Sequence, residues 1–203
     1  AQRSWSPTSV SGLSVNYVHG GYRLRSPFRD LDDEAYTEAC VADLNQVFDM
    51  MTSGDVAAMI AEPIQGVGGF ATPPDGFFGA MKKELDNRGV LFISDEVQTG
   101  WGRTGENFWG YQAHGMTPDI LTFAKGVGNG LALGGVVAGA DLMDSLPGNS
   151  LSTFGGNPMS SVGALATIRY MLEHDTQGHA LAMGERLAGH LRPAVEASAV
   201  LAE

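Results

Sequence analysis

Apolar residues recur along the chain in two rhythms. Between Asp32 and Thr52, the residues Ala35, Ala39, Val41, Ala42, Leu44, Val47 and Phe48 return at three- and four-residue intervals. That spacing lines one face of a helix. Phe77–Asn87 predicts a second helix, stopped by Asn87-Arg88-Gly89. Pro158–Glu173 and Gly178–Ala199 predict two more. The other rhythm is short apolar runs at Val56–Ala61, Val90–Ser94, Ile120–Ala124 and Gly134–Ala140. Unbroken runs suit strands of a parallel sheet covered on both faces, and Pro63 ends the first of them. Between these elements lie an irregular segment over residues 1–30, a Gly/Pro-rich loop at Gly66–Gly76, a long excursion at Trp101–Pro118 and a short extended piece at Leu151–Phe154.

Strand, helix, strand, excursion, strand predicts an α/β fold, a mostly parallel sheet with flanking helices. The link from Lys125 to Gly134 is too short for a right-handed helical crossover, so the fourth strand is expected to be antiparallel. Ligands of such sheets bind at the carboxyl ends of the strands. Glu62, Asp95 and Lys125 fall at three such ends.

Composition narrows the function classes. The chain has 203 residues, 43% apolar and 17% charged, which supports a sizeable core and argues against disorder. Its 28 glycines show no collagen period and suit many strand-to-helix turns. The net charge of -11 argues against nucleic acid or an anionic membrane as partner. Much of the acid between Asp30 and Asp43 reads as a solvated helix face. Cys40 is the single cysteine, so an intramolecular disulfide is excluded and a reducing compartment is expected. No apolar run reaches transmembrane length, and the first residues carry no signal-peptide pattern. The five histidines show no metal-ligand spacing, and no metal is expected.

The chemistry concentrates between Val90 and Lys125, where Asp95 and Lys125 stand 30 residues apart at the ends of neighbouring strands. An amine that can form a Schiff base and an anion for a pyridine nitrogen are what pyridoxal phosphate (PLP) requires. Burial would make Lys125 more nucleophilic by disfavouring its charged form. If the strand persisted, Asp95 and Val97 would share a face, Val97 would lie flat on the ring and Gln98 would reach its phenolic oxygen. Taken singly, a lysine snorkelling at a strand end, an aspartate cap and two ordinary strand-end residues are the alternatives. LFISDE also has the form of a Mg²⁺-binding strand of an NTPase, but no G-x-x-x-x-G-K-[ST] loop precedes it.

Four motifs carry a wider resemblance: AEPIQGVGGF (Ala61–Phe70), LFISDEVQTGWGRTG (Leu91–Gly105), DILTFAKGVGNG (Asp119–Gly130) and STFGGNPMS (Ser152–Ser160). Their order and spacing resemble the class III aminotransferases, in the alanine–glyoxylate and ω-amino acid:pyruvate branch. The resemblance implies a fold type I PLP enzyme. It moves an amino group between an amino acid or amine and a 2-oxo acid such as pyruvate or glyoxylate. It implies Lys125 as the Schiff-base and proton-shuttling residue, Asp95 as partner of the pyridine nitrogen, and Val97 and Gln98 on the ring face and ring oxygen. It further implies that Thr153 reaches the phosphate of a neighbouring subunit, making a homodimer with sites at the interface. Glu62 is expected at the pocket wall beside Gln98. Arg103 is expected either as a carboxylate clamp or as an anchor of the excursion.

The chain departs from some members of the family. Val67 stands where ornithine- and GABA-type members carry a second glutamate, and Trp101 where Phe or Tyr is usual. Residues 1–172 are expected to be an incomplete PLP-binding large domain, and 173–203 the start of a C-terminal α+β domain. The first residues lack a starting Met and begin in turn-like sequence, and the last stop inside a helical pattern, so a central piece of a longer enzyme is expected, inactive by itself. The alternatives are an aminomutase, racemase or decarboxylase on the same residues, or a piece acting only as an assembly partner. The expected location is cytoplasmic, or the mitochondrial matrix in a eukaryote.

Overall fold

The computed structural model describes residues 15–145, 148 and 152–201. Four strands, β1 (Ala58–Ala61), β2 (Leu91–Asp95), β3 (Ile120–Phe123) and β4 (Gly135–Ala138), form one sheet in the order β1-β2-β3-β4. β1 and β2 run parallel, as do β2 and β3, while β4 pairs antiparallel with β3, as its short link requires. Register sets Ala61 beside Ser94 and Asp95 beside Thr122. The carboxyl ends of the three parallel strands therefore share one edge of the sheet.

Helix α1 (Asp33–Met51) begins at Asp32, whose side chain accepts from Ala35 N and caps the first turn. Helix α2 (Phe77–Asn87) follows the Gly/Pro loop. The stripe that α1 buries is Tyr36, Cys40, Leu44 and Phe48. This corrects the apolar pattern, in which only Leu44 and Phe48 of that stripe figured. Tyr36 and Cys40 complete an i, i+4 row and pack with Phe77, Phe78, Met81 and Leu85 of α2 and with Phe92 of β2. The Tyr36 hydroxyl stays in this core by donating to Gly20 O at 2.6 Å.

Burial along β2 alternates. Phe92 and Ser94 are buried, whereas Leu91, Ile93 and Asp95 are half-buried. The two-sided cover expected of an unbroken apolar run is thus present on the helix-packed face only. On the other face Ile60, which pairs in register with Ile93, is 63% exposed.

Three further helices complete the described chain: α3 (Ala140–Asp144), α4 (Pro158–Glu173) and α5 (Thr176–Glu196). Asn157 caps α4 by accepting from Ser160 N, with Pro158 in the first turn. The extended piece expected at Leu151–Phe154 is not observed. Leu151 lies outside the described residues, and Thr153 and Phe154 bend into a turn in which Gly155 N donates to Ser152 Oγ at 3.0 Å. Of the irregular first segment, residues 1–14 lie outside the described residues, and Arg23–Arg25 forms one turn of 3₁₀ helix. Among the described residues no helix is long and apolar enough to cross a membrane.

Burial pushes the Cys40 thiol from an ordinary value of 9.0 up to about 11. Between those values the unfolded chain releases a proton that the folded chain keeps, so stability falls as pH rises through the window. A shift of this size corresponds to about 2–3 kcal/mol. Burial also raises the neighbouring Tyr36 from 10.0 to about 12, so urea midpoints compared between pH 9 and 10 isolate the first part of the thiol's loss, and Cys40→Ala should remove that part.

Candidate active site

The edge at which β1, β2 and β3 end holds the candidate chemistry. Lys125 opens a 3₁₀ turn, Lys125–Gly128, two residues beyond β3. Its φ is 51°, in the left-handed region that a side-chain-bearing residue rarely adopts. Such strain costs on the order of 1–3 kcal/mol and tends to collect where function needs it. Val127 and Gly128 behind it are buried, and α4 packs against this turn. The turn sends Lys125 Nζ back across the sheet edge, where it donates to Gln98 Oε1 at 2.6 Å. The Lys125 side chain is exposed, which corrects the expectation that burial would activate it.

β2 ends at Asp95, and residues 97–100 form a turn. The strand does not persist to Val97, so a shared strand face cannot align Asp95 with Val97. A local hydrogen bond does that work, since Val97 N donates to Asp95 Oδ1 at 3.1 Å. Val97, Gln98, Arg103 and Lys125 line one cavity of about 980 Å³. Asp95 is half-buried at the strand end and is not among the lining residues.

Glu62 stands close to Gln98, as the sequence suggests. Gly66 N donates to Glu62 Oε2 at 2.9 Å. A Cβ on Gly66 would lie 3.1 Å from Gln98 Cγ and 3.4 Å from Glu62 Oε2, so the glycine fills the gap between the two side chains. Arg103 is exposed on the loop after Trp101 and enters the cavity on the side of Gly126. Thr153 is exposed on the turn ahead of α4 and does not line the cavity.

Three contributors receive no role from the motifs. Phe70 lines the cavity at φ 61° while 65% exposed. Trp101 also lines it, at φ 64°, and meets Phe108 and Phe123 edge-on and Trp109 at a tilt, with ring centroids 4.9–5.7 Å apart. Helix α5 closes on the Gly102–Gly105 loop, where Gln177 Nε2 donates to Gly105 O at 3.0 Å. A Cβ on Gly105 would stand 2.6 Å from Leu181 Cα, so only glycine permits that approach. The GRTG run signals a tight loop in the sequence, but its distant partner helix has no local mark.

The excursion ends in a buried 3₁₀ turn, Gly110–His114. His114 is 5% exposed there, with its ring edge-on to Phe78, and burial holds its imidazole below the usual histidine value. It belongs to the wall beneath the sheet and is not a cavity residue.

One cavity thus presents an amine, a carboxamide and a guanidinium, with a carboxylate at the strand end beside it. This donor set fits PLP. Lys125 could hold the aldehyde carbon, Gln98 the phenolic oxygen, Asp95 the pyridine nitrogen and Val97 the ring face. Arg103 places a positive charge on the same cavity.

The family model described as Aminotransferase class-III matches residues 8–203. The chain is 40% identical over 165 residues to the alanine–glyoxylate aminotransferase 2 homolog 2, mitochondrial, of Arabidopsis thaliana, a match covering 79% of this chain and 34% of that protein. It is 42% identical over 138 residues to an alanine/serine racemase of Pyrococcus horikoshii, covering 68% of this chain and 29% of that protein. An amine transaminase from an uncultivated Pseudomonas species, solved in its PLP-bound form, superposes with a TM-score of 0.82 at 31% identity. That match covers 90% of this chain and 43% of the solved one. The chain therefore spans between 29% and 43% of the length of these relatives.

Proposed function

Because the chain belongs to the class III aminotransferases, whose cofactor is PLP, we propose that it carries the central part of a site transferring an amino group between an amino acid or amine and a 2-oxo acid. The observation that carries this reading is the Lys125–Gln98 hydrogen bond of 2.6 Å inside the cavity that Arg103 also lines. PLP, when bound, supplies an aldehyde and an electron-withdrawing ring that stabilises negative charge on the substrate carbon. Lys125 Nζ holds the cofactor at its aldehyde and then moves the proton at the substrate carbon. Asp95 keeps the ring nitrogen charged, Val97 packs on the ring face and Gln98 orients the ring oxygen. Glu62 braces the Gly66 turn behind Gln98, and Arg103 binds a substrate carboxylate.

In this reading Thr153 serves the cofactor phosphate of a neighbouring copy, which makes the protein a homodimer with shared sites. Its exposure on a turn outside its own cavity agrees with service to a neighbour. Residues 1–172 form part of the large domain and 173–203 begin the small one. The 203 residues alone are inactive, and the protein works in the cytoplasm or the mitochondrial matrix.

The 2-oxo acid acceptor is pyruvate or glyoxylate. Val67, standing where ornithine- and GABA-type members carry a second glutamate, argues against those specificities. The similarity to a racemase favours a second reading, in which the same Lys125 and Asp95 invert an amino acid without moving nitrogen. An assay of the intact parent polypeptide with a single-enantiomer amino acid donor and pyruvate separates the two. Stoichiometric alanine and oxidised donor are expected. Inverted amino acid with no oxo acid formed would show the racemase.

A further inference from the structure

Glu96 is wholly buried between Asp95 and Val97, yet it faces away from the cavity. Both of its carboxylate oxygens are saturated. Oε1 accepts from Ser94 Oγ at 3.0 Å and Tyr111 N at 2.8 Å. Oε2 accepts from Thr99 Oγ1 at 2.6 Å and Gly110 N at 2.7 Å. Its backbone is fixed too, with Glu96 N donating to Thr122 O at 2.9 Å and Gly100 N donating to Glu96 O at 2.9 Å. A buried carboxylate persists only when its acceptor capacity is used in this way.

The geometry has a direct consequence for the site. The turn that presents Val97 and Gln98 is bound to Glu96 by the peptide at its start and by Thr99 and Gly100 at its finish. The far side of the knot is the Gly110 turn of the excursion. A Cβ on Gly110 would lie 2.7 Å from Thr99 Cβ and 2.9 Å from Pro63 Cβ, so the excursion presses on the turn and on the residue after Glu62. Neither Val97 nor Gln98 can shift while Glu96 keeps its bonds.

We propose that Glu96 is a positioning residue, whose carboxylate ties the excursion to the end of β2 and thereby holds Gln98 against Lys125 and Val97 beside Asp95. The proposal rests on the aminotransferase reading, since it acts through residues assigned to the cofactor there. Glu96→Gln probes it with almost no change of shape. In either orientation the new NH₂ meets a backbone N–H, of Gly110 or of Tyr111. A serine or threonine hydroxyl can turn to accept, but a backbone N–H cannot, so one buried donor loses its partner.

The test is PLP titration of the intact parent polypeptide, read by its visible absorption, with the pH midpoint of the bound cofactor's band as a second readout. Glu96→Gln should weaken PLP binding about tenfold and move that midpoint. Gln98→Ala added to Glu96→Gln should weaken binding less than it does alone, because the two act on one hydrogen bond. Thr99→Val should shift both readouts in the same direction by a smaller factor, and Thr99→Ser should restore them. The threonine pair decides the matter if Glu96→Gln does not fold. Unchanged affinity and midpoint in Thr99→Val and in folded Glu96→Gln would overturn the proposal alone. Failure of the unaltered polypeptide to bind PLP would overturn the aminotransferase reading and the proposal with it.

Discussion

Lys125→Ala is expected to abolish amino transfer while leaving the fold intact. The lost proton transfer alone is worth on the order of 10²–10⁴-fold in rate, and loss of the covalent hold on the cofactor adds to it. Stability should barely move. The side chain is exposed, and its one described hydrogen bond is to the Gln98 carboxamide. Exposed changes of this kind usually stay within about 0.5 kcal/mol, and alanine bears the left-handed backbone no worse than lysine does. Lys125→Arg sharpens the result. It retains a positive donor for Gln98, but a guanidinium neither gives up its proton at working pH nor attacks an aldehyde. Both variants should be inactive, folded and without the visible band of the bound cofactor. A variant that kept both band and turnover would remove Lys125 from the mechanism.

The second large effect is expected at Asp95, where two roles coincide and can be separated. Its Oδ1 accepts from Val97 N, which shapes the turn, and its charge is assigned to the ring nitrogen. Asp95→Asn keeps an oxygen for the turn and removes the charge. Loss of one preorganised electrostatic partner costs about 10²–10³-fold in rate, and kcat should fall by that order with unchanged thermal stability. Asp95→Ala should lose the turn as well and so bind PLP more weakly than Asp95→Asn. Equal behaviour of the two variants would show that the turn bond adds nothing to the loss of charge, and a wild-type kcat in Asp95→Asn would show that the charge does nothing beyond shaping the turn.

How far these features were legible in the sequence follows from how local they are. Helix α2 appears over the residues its capping signals predict, and the antiparallel β4 follows from a link too short to cross over. The ends of β1, β2 and β3 place Glu62, Asp95 and Lys125 at one edge because parallel strands must align them there. Two inferences went astray where they extended a local rule. Val97 does not continue the strand, because the Asp95 side chain captures its N–H and starts a turn. Lys125 is not buried, because its left-handed backbone turns the side chain into an open cavity. Glu96 was hidden by its neighbours. In a motif it reads as the second of two acids, and only the fold brings Gly110 and Tyr111 to its oxygens. The α1 stripe was mistaken for the same kind of reason, since a tyrosine and a cysteine do not read as core until the opposing α2 face is present.

Lys125 should be the amine that carries the cofactor, and these 203 residues hold two other lysines to compare it with, Lys82 and Lys83. Lys82 of α2 is paired with Asp86 of the same helix and with Asp119 just ahead of β3, and Lys83 is exposed on α2. Borohydride reduction of the PLP-loaded intact polypeptide, followed by peptide mass spectrometry, reads out which amine was bound. A stoichiometric pyridoxyl label is expected on Lys125 and is lost in Lys125→Arg. A label on Lys82, Lys83 or any lysine of that polypeptide outside these 203 residues, with Lys125 unmodified, would remove Lys125 from the cofactor site.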